Sequence, residues 1–408
     1  MYTWDFYDDM PELHPITDAD NLFDSLMEVK KVSGWKMEVQ RIRWNWAEEL
    51  GKLQKELIAM QYDQPGAYKP LPYSTFELTE RGKPRPVRAL RARDRIVKHA
   101  LNDLFLVPHI RPHLIYDNGA SLKDKGVDFA RRRIKAHLER YYKRHGTNKG
   151  WVLLTDFSGF YDNVDHAHAY KMICDWEPDP LARKLSKQAL DQCAIDVSYM
   201  TPAEFQAAKR EKFKLLDYRR AGHGDENRGE KILHKSLSVG DPTSQIIAVA
   251  FTTPIDKLIT IVHSQSFYEK YMDDSATICD DMQQAQKLRA AFIQEAEKYK
   301  LFVHPNKTRI CRIDRTFTFL QFRYRVAVNG HVIIKIGRNT IPRMRRKLKK
   351  LKKLIDSGKR SPERAPEVFR SWIGNYKKVM SKRQISNIVT LYRNLYGGGL
   401  DQWLNKKL

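Results

Sequence analysis

Apolar side chains fall at helical intervals through the first sixty residues, with Leu22, Phe23, Leu26 and Val29 in one run and Trp44, Trp46, Leu50, Leu53 and Leu57 in the next. Ser33-Gly34-Trp35 predicts the break between them. Pro65-Gly66, Pro70 and Pro72 then mark a turn-rich connection into a strand over residues 73–78. Helical patterns follow over residues 94–105 and 127–145. The pattern next shortens to Trp151-Val152-Leu153-Leu154-Thr155-Asp156-Phe157, a β-rich apolar run that suits a buried strand ending on one carboxylate. Residues 198–235 form a long polar interval, read as a helix and a loop around Gly222 to Gly229. Near the end, Ile341, Met344, Leu348, Leu351, Leu354 and Ile355 make one apolar stripe on a strongly basic helix, and two further helices are predicted over residues 367–380 and 382–396, before Gly397-Gly398-Gly399.

The candidate chemistry lies where strands end in acids. Residues 267–279 read as strand, tight turn, strand, with Tyr271-Met272-Asp273-Asp274 at the tip. Adjacent carboxylates repel unless cations neutralise them, so a divalent-metal site is the natural inference. A solvated turn is the bland alternative. The second acid-bearing strand, ending at Asp156, changes the balance. Carboxylates from two strands can bracket two Mg²⁺ ions about 3.5 to 4 Å apart, activating a 3′-oxygen and stabilising a pyrophosphate leaving group. That chemistry is nucleotidyl transfer.

Charge agrees with a polyanionic partner. The 408-residue chain carries a formal net charge of +24, with a pI near 9.7 and 42% hydrophobic residues. Such a balance favours nucleic acid, whose phosphates supply sequence-independent, salt-sensitive affinity. Residues 1–24 are acidic, whereas residues 338–360 are dense in Lys and Arg. Cys174, Cys193, Cys279 and Cys311 lack metal-ligand spacing and suggest neither a zinc ribbon nor a disulfide framework. No run of 18 apolar residues and no secretion signal is seen. A cytoplasmic protein without a membrane partner is therefore expected.

Seven segments in order resemble a bacterial reverse transcriptase, over roughly residues 65 to 400. Asp156 with Tyr161 resembles the family's first catalytic segment, and Tyr271-Met272-Asp273-Asp274 its third; Val239-Gly240-Asp241-Pro242-Thr243-Ser244-Gln245 lies between them. Arg81-Gly82-Lys83-Pro84-Arg85-Pro86 with Asp94-Arg95-Ile96-Val97, and Asn118-Gly119-Ala120-Ser121 with Lys125-Gly126, resemble fingers segments. Residues 301–308, containing Lys307, and the primer-grip-like Phe319-Leu320-Gln321-Phe322-Arg323-Tyr324 complete the series, although the family more often has Gly where Gln321 stands.

The resemblance implies an α+β right-hand polymerase with fingers, a palm of antiparallel sheet and packing helices, and a helical thumb. An N-terminal helical region over 1–62, fingers and palm over 63–336 with a polar insertion at 198–235, and a thumb over 337–408 are expected. It implies metal ligation by Asp156, Phe157, Asp273 and Asp274, with two Mg²⁺ ions and Mn²⁺ as a substitute, and catalysis by the three aspartates and Lys307. Lys83, Arg85, Tyr161 and Gln245 are the implied dNTP contacts, Tyr161 excluding a ribose 2′-hydroxyl. Arg131, Arg132 and Arg133, with Arg343, Arg345, Arg346, Lys349, Lys350 and Lys353, are the expected nucleic-acid contacts, and a structured RNA template and its cDNA the expected partners. Asp162 and Asp165 read instead as turn and cap acids.

About seventy residues follow the primer-grip segment, which suits a thumb and no nuclease domain. The layout is similar to stand-alone enzymes: retron, diversity-generating and defence-associated reverse transcriptases. Ser244-Gln245 occurs in the diversity-generating group and some defence groups. Asn118-Gly119-Ala120-Ser121, the long interval before Gly240 and Trp372-Ile373-Gly374 resemble the defence group, class 2 above all, which copies a companion non-coding RNA. Protein-primed or untemplated synthesis, and an RNA-binding scaffold with a vestigial polymerase fold, are the open alternatives.

Overall fold

A computed structural model describes residues 13–80, 82–223 and 229–397. Arg81, most of the predicted loop at 222–229, the start of the acidic N-terminus and the end of the glycine run lie outside the described residues. The chain divides into two compact units: residues 1–134, 153–277 and 283–309 form one, and residues 135–152, 278–282 and 310–408 the other.

In the first unit, α1 (Ala19–Ser33), α2 (Met37–Trp44) and α3 (Trp46–Gln61) bury Leu22, Leu26, Val29, Val39, Ile42, Leu50, Leu53 and Leu57, most of the stripe that the periodicity predicts. Asp18 caps α1 by accepting from the Asp20 backbone amide. Sequence predicts one break; the structure adds a second at Asn45, so Trp44 and Trp46 sit at a helix junction and both are exposed. An antiparallel hairpin follows, β1 (Ser74–Glu80) and β2 (Lys83–Ala89). Arg88 on β2 is buried and donates to the carbonyls of Cys193 (2.8 Å) and Leu237 (3.1 Å), which anchors the base of the hairpin. Next comes α4 (Ala92–Leu101), which packs on α1.

Four strands make the central sheet, in the order β6 (Tyr268–Tyr271), β7 (Asp274–Cys279), β3 (Trp151–Thr155), β8 (Arg309–Arg312). The intervening pair β4 (Ile195–Asp196) and β5 (Ile232–Leu233) closes off the polar interval, which has its own small core of Ile195, Val197, Phe213, Leu215, Tyr218 and Leu233. Its helices are Pro202–Arg210, with a capping box between Thr201 and Glu204, and Leu215–Arg220. The helical run Pro242–Val262 is long and apolar enough to pass for a membrane span by composition, yet 61% of its most apolar window is buried in the protein. Ile246, Ile247, Ala248, Ala250 and Phe251 all join the hydrophobic core, and a core helix accounts for that composition.

The second unit carries β9 (Phe317–Phe319), β10 (Phe322–Val326) and β11 (Val332–Ile336) in an antiparallel sheet, then helices Thr340–Asp356, Arg364–Tyr376 and Lys382–Tyr396. Phe369 stacks on Tyr392 at 4.6 Å between centroids, and the Tyr396 hydroxyl donates to the Leu348 carbonyl at 2.6 Å, tying the three helices together. Gln321 lies in the turn between β9 and β10 at φ 71°, the left-handed region that favours glycine. The Tyr376 hydroxyl bonds its side chain at 2.7 Å, a partner no glycine offers.

Candidate catalytic carboxylate site

Asp156 follows the last residue of β3 and is only 6% exposed. Residues 302–308 clamp it: its carbonyl accepts from His304 N at 2.8 Å, its amide donates to Thr308 Oγ1 at 3.3 Å, and Ser158 N donates to Phe302 O at 2.6 Å. Phe157 is buried with its ring against Phe160 and Phe292, and its backbone bridges Val303, so the chain cannot twist Asp156 away. Lys307 reaches over to place Nζ 2.6 Å from Asp156 Oδ2. Asp156 Oδ1 is buried and has no hydrogen-bond partner among the described residues. An orphaned carboxylate oxygen of this kind is costly unless something else meets it.

The other two acids arrive on the β6–β7 hairpin. Tyr271 pairs with Asp274, so Met272 and Asp273 form a two-residue turn, with Met272 at φ 55°. A non-glycine residue there stores strain of order 1 kcal/mol, which the surrounding packing holds in place. Thr155 Oγ1 and Ser275 Oγ lie 2.5 Å apart and bind β3 to β7 directly beside the acids. Below the turn, buried Lys270 places Nζ 2.6 Å from Asp256 Oδ2 and 3.0 Å from Val249 O, while the Tyr268 hydroxyl donates to Asp256 Oδ1 at 2.7 Å. On the outer edge, Lys270 N donates to Asp117 O (3.0 Å) and Gly119 N to Lys270 O (2.8 Å). A Cβ on Gly119 would sit 2.7 Å from that of Ala130, so only glycine permits this strand-edge contact.

The acids feel one another. Burial drives the Asp274 carboxyl up to about 8, with the charges of Asp273 and Asp156 adding to it. Asp273 is also raised, first by burial and then by Asp156, while Lys307 and Arg85 pull it back. Three carboxylates are thus held together at a deficit of positive charge. The donors are all oxygen, the kind a hard divalent cation takes, and one of them, Asp156 Oδ1, has no hydrogen-bond partner among the described residues.

Tyr161 lies beside this cluster: burial, followed by the charges of Asp273 and Asp241, raises its hydroxyl well above the ordinary tyrosine value. Lys83 and Arg85, two residues apart on β2, share one face of the hairpin and are exposed. Arg85 is held by Glu80 at 2.9 Å. Gln245 is exposed in the first turn of helix Pro242–Phe251. That helix starts at a sharp turn, Gly240 at φ 99°, and Asp241 caps it by accepting from the amides of Thr243 (2.9 Å) and Ser244 (3.4 Å). Asp165 caps helix His166–Trp176, as its spacing predicts, and receives Lys300 at 2.6 Å; burial lifts the Asp162 carboxyl to about 6.

Sequence alone gives Arg131, Arg132 and Arg133 to one RNA-facing surface, and the structure divides them. Arg131 is buried and bonded to Asp128 at 3.1 Å, and Arg133 is paired with Asp117 (3.0 Å for the outer nitrogen). Only Arg132 is exposed. Consecutive residues on a helix point about 100° apart, so three in a row cannot share a surface. In the second unit, Arg343, Arg345, Arg346, Lys349, Lys350 and Lys353 are all exposed around the buried stripe Met344, Leu348 and Leu351, with no carboxylate paired to them among the described residues.

Sequence reasoning missed the buried cations. Lys98 holds Asp241 at 2.5 Å, with the Tyr73 hydroxyl also on that carboxylate at 3.2 Å, and Lys270 holds Asp256. In a chain this basic, two more lysines carry no signal until their burial is known.

Residues 72–324, more than half of the chain, match the family described as reverse transcriptase (RNA-dependent DNA polymerase). The chain belongs to the reverse transcriptase family. Among solved structures it is similar to telomerase from Candida albicans in complex with a fragment of telomeric RNA, at 13% identity and a TM-score of 0.41, over 70% of this chain and 50% of that one. This reverse transcriptase chain therefore spans half the length of that telomerase chain. No curated protein matches it by sequence.

Proposed function

We propose that this chain is an RNA-directed DNA polymerase that extends a primer 3′-end along an RNA template. The observation that carries the reading is the mutual electrostatic influence of Asp156, Asp273 and Asp274, with Asp156 Oδ1 lacking a hydrogen-bond partner among the described residues. Asp156, Asp273 and Asp274, with the Phe157 backbone beside them, would hold divalent ions, Mg²⁺ first and Mn²⁺ as substitute. Such ions, when bound, lower the barrier to attack by the 3′-oxygen and neutralise charge on the departing pyrophosphate. Lys83 and Arg85 bring cations to the outer phosphates of the incoming dNTP. Lys307, ion-paired with Asp156 at 2.6 Å, would exchange that partner for the pyrophosphate and donate a proton to it. Gln245 lines the nucleotide from the helix start, and the basic face of helix Thr340–Asp356 grips the RNA–DNA product through its phosphates.

The test is primer extension. Purified protein with a DNA primer annealed to an RNA template, dNTPs and Mg²⁺ is expected to give product complementary to the RNA. A homopolymer or random product would instead show untemplated synthesis, and DNA bound covalently to a Ser or Tyr would show protein priming. No product under any priming scheme leaves only the scaffold reading.

Tyr161 supplies a second expectation within the same assay. Its hydroxyl feels the charge of Asp273, and the family resemblance puts its ring where a ribose 2′-hydroxyl would collide with it. Tyr161→Ala is expected to relax the preference for dNTPs over rNTPs by about 10- to 200-fold, with a smaller effect on dNTP incorporation alone. Unchanged discrimination, measured as the ratio of kcat/KM values, removes the gate.

Among stand-alone relatives, Asn118-Gly119-Ala120-Ser121 and Trp372-Ile373-Gly374 favour the bacterial defence-associated group, class 2, acting in the cytoplasm and copying a neighbouring non-coding RNA during phage infection. Sequencing RNA that co-purifies with the protein, before and after dNTP addition, tests this. Recovery of a structured RNA encoded beside the gene supports the role. A template repeat paired with a variable target gene supports diversification, to which Ser244-Gln245 also points.

A further inference from the structure

The N-terminal helices carry a surface that the polymerase chemistry does not use. Trp35 and Trp44 are 76% and 69% exposed, and Val32, Met37 and Trp46 are exposed with them. Tryptophan seldom faces water to this extent, and neighbouring exposed apolar side chains mark an interaction site. Met37, Arg41 and Trp44 stand at i, i+4 and i+7 on α2, all exposed, while Val39 and Ile42 on the opposite face are buried. The outward stripe therefore runs thioether, cation, indole. Between residues 30 and 46 there are five cations, Lys30, Lys31, Lys36, Arg41 and Arg43, against the single carboxylate Glu38. Glu38 is already engaged by Arg91 at 3.4 Å. Lys36 lies 5.8 Å from the Trp35 ring centroid. Trp46 is braced edge-on by Phe23 at 5.1 Å.

We infer that this surface is a stacking platform for unpaired RNA nucleotides, separate from the carboxylate site. Bases have apolar faces that stack on exposed indoles, and the interleaved lysines and arginines meet the phosphates between them. A protein partner would call for an apolar patch with its charges moved to the rim. Here cations are threaded through the aromatic residues, which is the order a sugar–phosphate chain presents. Paired RNA hides its base faces and gains only the phosphate contacts. The inference rests on the reading of this chain as an RNA-copying enzyme, and its test is binding without dNTPs, so that it can succeed or fail apart from polymerisation.

Fluorescein-labelled 20-nucleotide oligo(U), the same length of oligo(dT) and a 20-base-pair RNA duplex are titrated with the full chain and with W35A/W44A. Expected is a tenfold or greater loss of oligo(U) affinity for W35A/W44A, with duplex affinity changed less than twofold. W35F/W44F, which keeps aromatic faces, is expected to recover most of the loss. Lys36→Gln with Arg41→Gln is expected to flatten the salt dependence of oligo(U) binding. Both tryptophans are exposed, so circular dichroism and the melting temperature should match the parent, and W35F/W44F keeps the test informative if W35A/W44A misfolds. Oligo(U) affinity within twofold of the parent overturns the proposal. Equal losses for oligo(U) and duplex overturn the stacking argument. A parent that sediments as a dimer, and is made monomeric by W35A/W44A without loss of oligo(U) affinity, reassigns the surface to a second copy of the chain. Loss confined to oligo(dT) reassigns it to single-stranded DNA.

Discussion

Asp156→Asn and Asp273→Asn should each lower the rate of primer extension by about 10³-fold or more, and Asp273→Asn should leave a protein that folds at least as well as the parent. The two halves of that expectation have one cause. Asp273 and Asp274 are raised by burial and by like charge, so the folded chain tolerates the carboxylates rather than gaining from them. An isosteric amide removes a repelling charge and with it the ability to hold a hard cation. The linkage has a definite sign. The Asp274 carboxyl, at about 8 in the folded chain against 3.8 ordinarily, binds its proton more tightly when folded. Its stabilising contribution is fully present below about pH 4 and is lost as pH rises through about 8, at most about 1.4 kcal/mol per unit. Without divalent ions the melting temperature should fall across that window, and Asp274→Asn should flatten the fall. Adding Mg²⁺ or Mn²⁺ at pH 8 should raise the parent's melting temperature by about 2 to 4 °C, through binding to the folded state alone, and should not raise that of Asp156→Asn or Asp273→Asn. A metal-induced shift that survives in both variants would place the ions elsewhere and sink the site.

Much of this site could be read from the chain because its parts are local. A two-residue turn fixes where Asp273 and Asp274 sit, and the apolar strand before Asp156 fixes its depth; both follow from alternation and turn length. The helices of the N-terminus and of the basic C-terminal segment were legible for the same reason, since a 3.6-residue period needs no knowledge of partners. What the chain hid is pairing at long range. Lys98 and Asp241 are 143 residues apart, Lys307 and Asp156 are 151 apart, and nothing in either neighbourhood announces the contact. The arginine run failed differently. Its composition is plain, but the fate of each side chain depends on which way the helix turns its face and on where Asp117 and Asp128 lie. Gln321 shows the reverse case: a departure from the family's usual glycine, visible in sequence, whose compensation by Tyr376 is visible only in three dimensions.

The largest stability effect should come from beneath the catalytic hairpin, at Lys270. Its ammonium is buried, with Asp256 Oδ2 at 2.6 Å, Val249 O at 3.0 Å and Thr252 Oγ1 in contact. Lys270→Met keeps the apolar stem and leaves Asp256, among the described residues, with only the Tyr268 hydroxyl, a buried charge without a counter-ion. Such a break costs about 3 to 5 kcal/mol, a large share of the about 5 to 15 kcal/mol that holds a typical domain. Lys270→Met with Asp256→Leu removes the pair together and should recover most of that loss, because two desolvated charges gain little over well-packed apolar groups. Denaturant unfolding of the two variants measures both numbers. A single substitution costing under about 1 kcal/mol would mean that water or a proton already neutralises Asp256. Activity should follow a different course from stability. Lys270 lies on β6, one residue before the Tyr271–Asp274 pair that closes the Met272–Asp273 turn, and its side-chain contacts anchor the strand from which that turn emerges. The double variant, restored in stability, should still extend primers more slowly than the parent, since apolar packing replaces the energy of the pair without replacing its directed hydrogen bonds. Full recovery of both would make Lys270 and Asp256 a stability element alone, with the strain at Met272 held by the β6–β7 ladder and the Thr155–Ser275 contact.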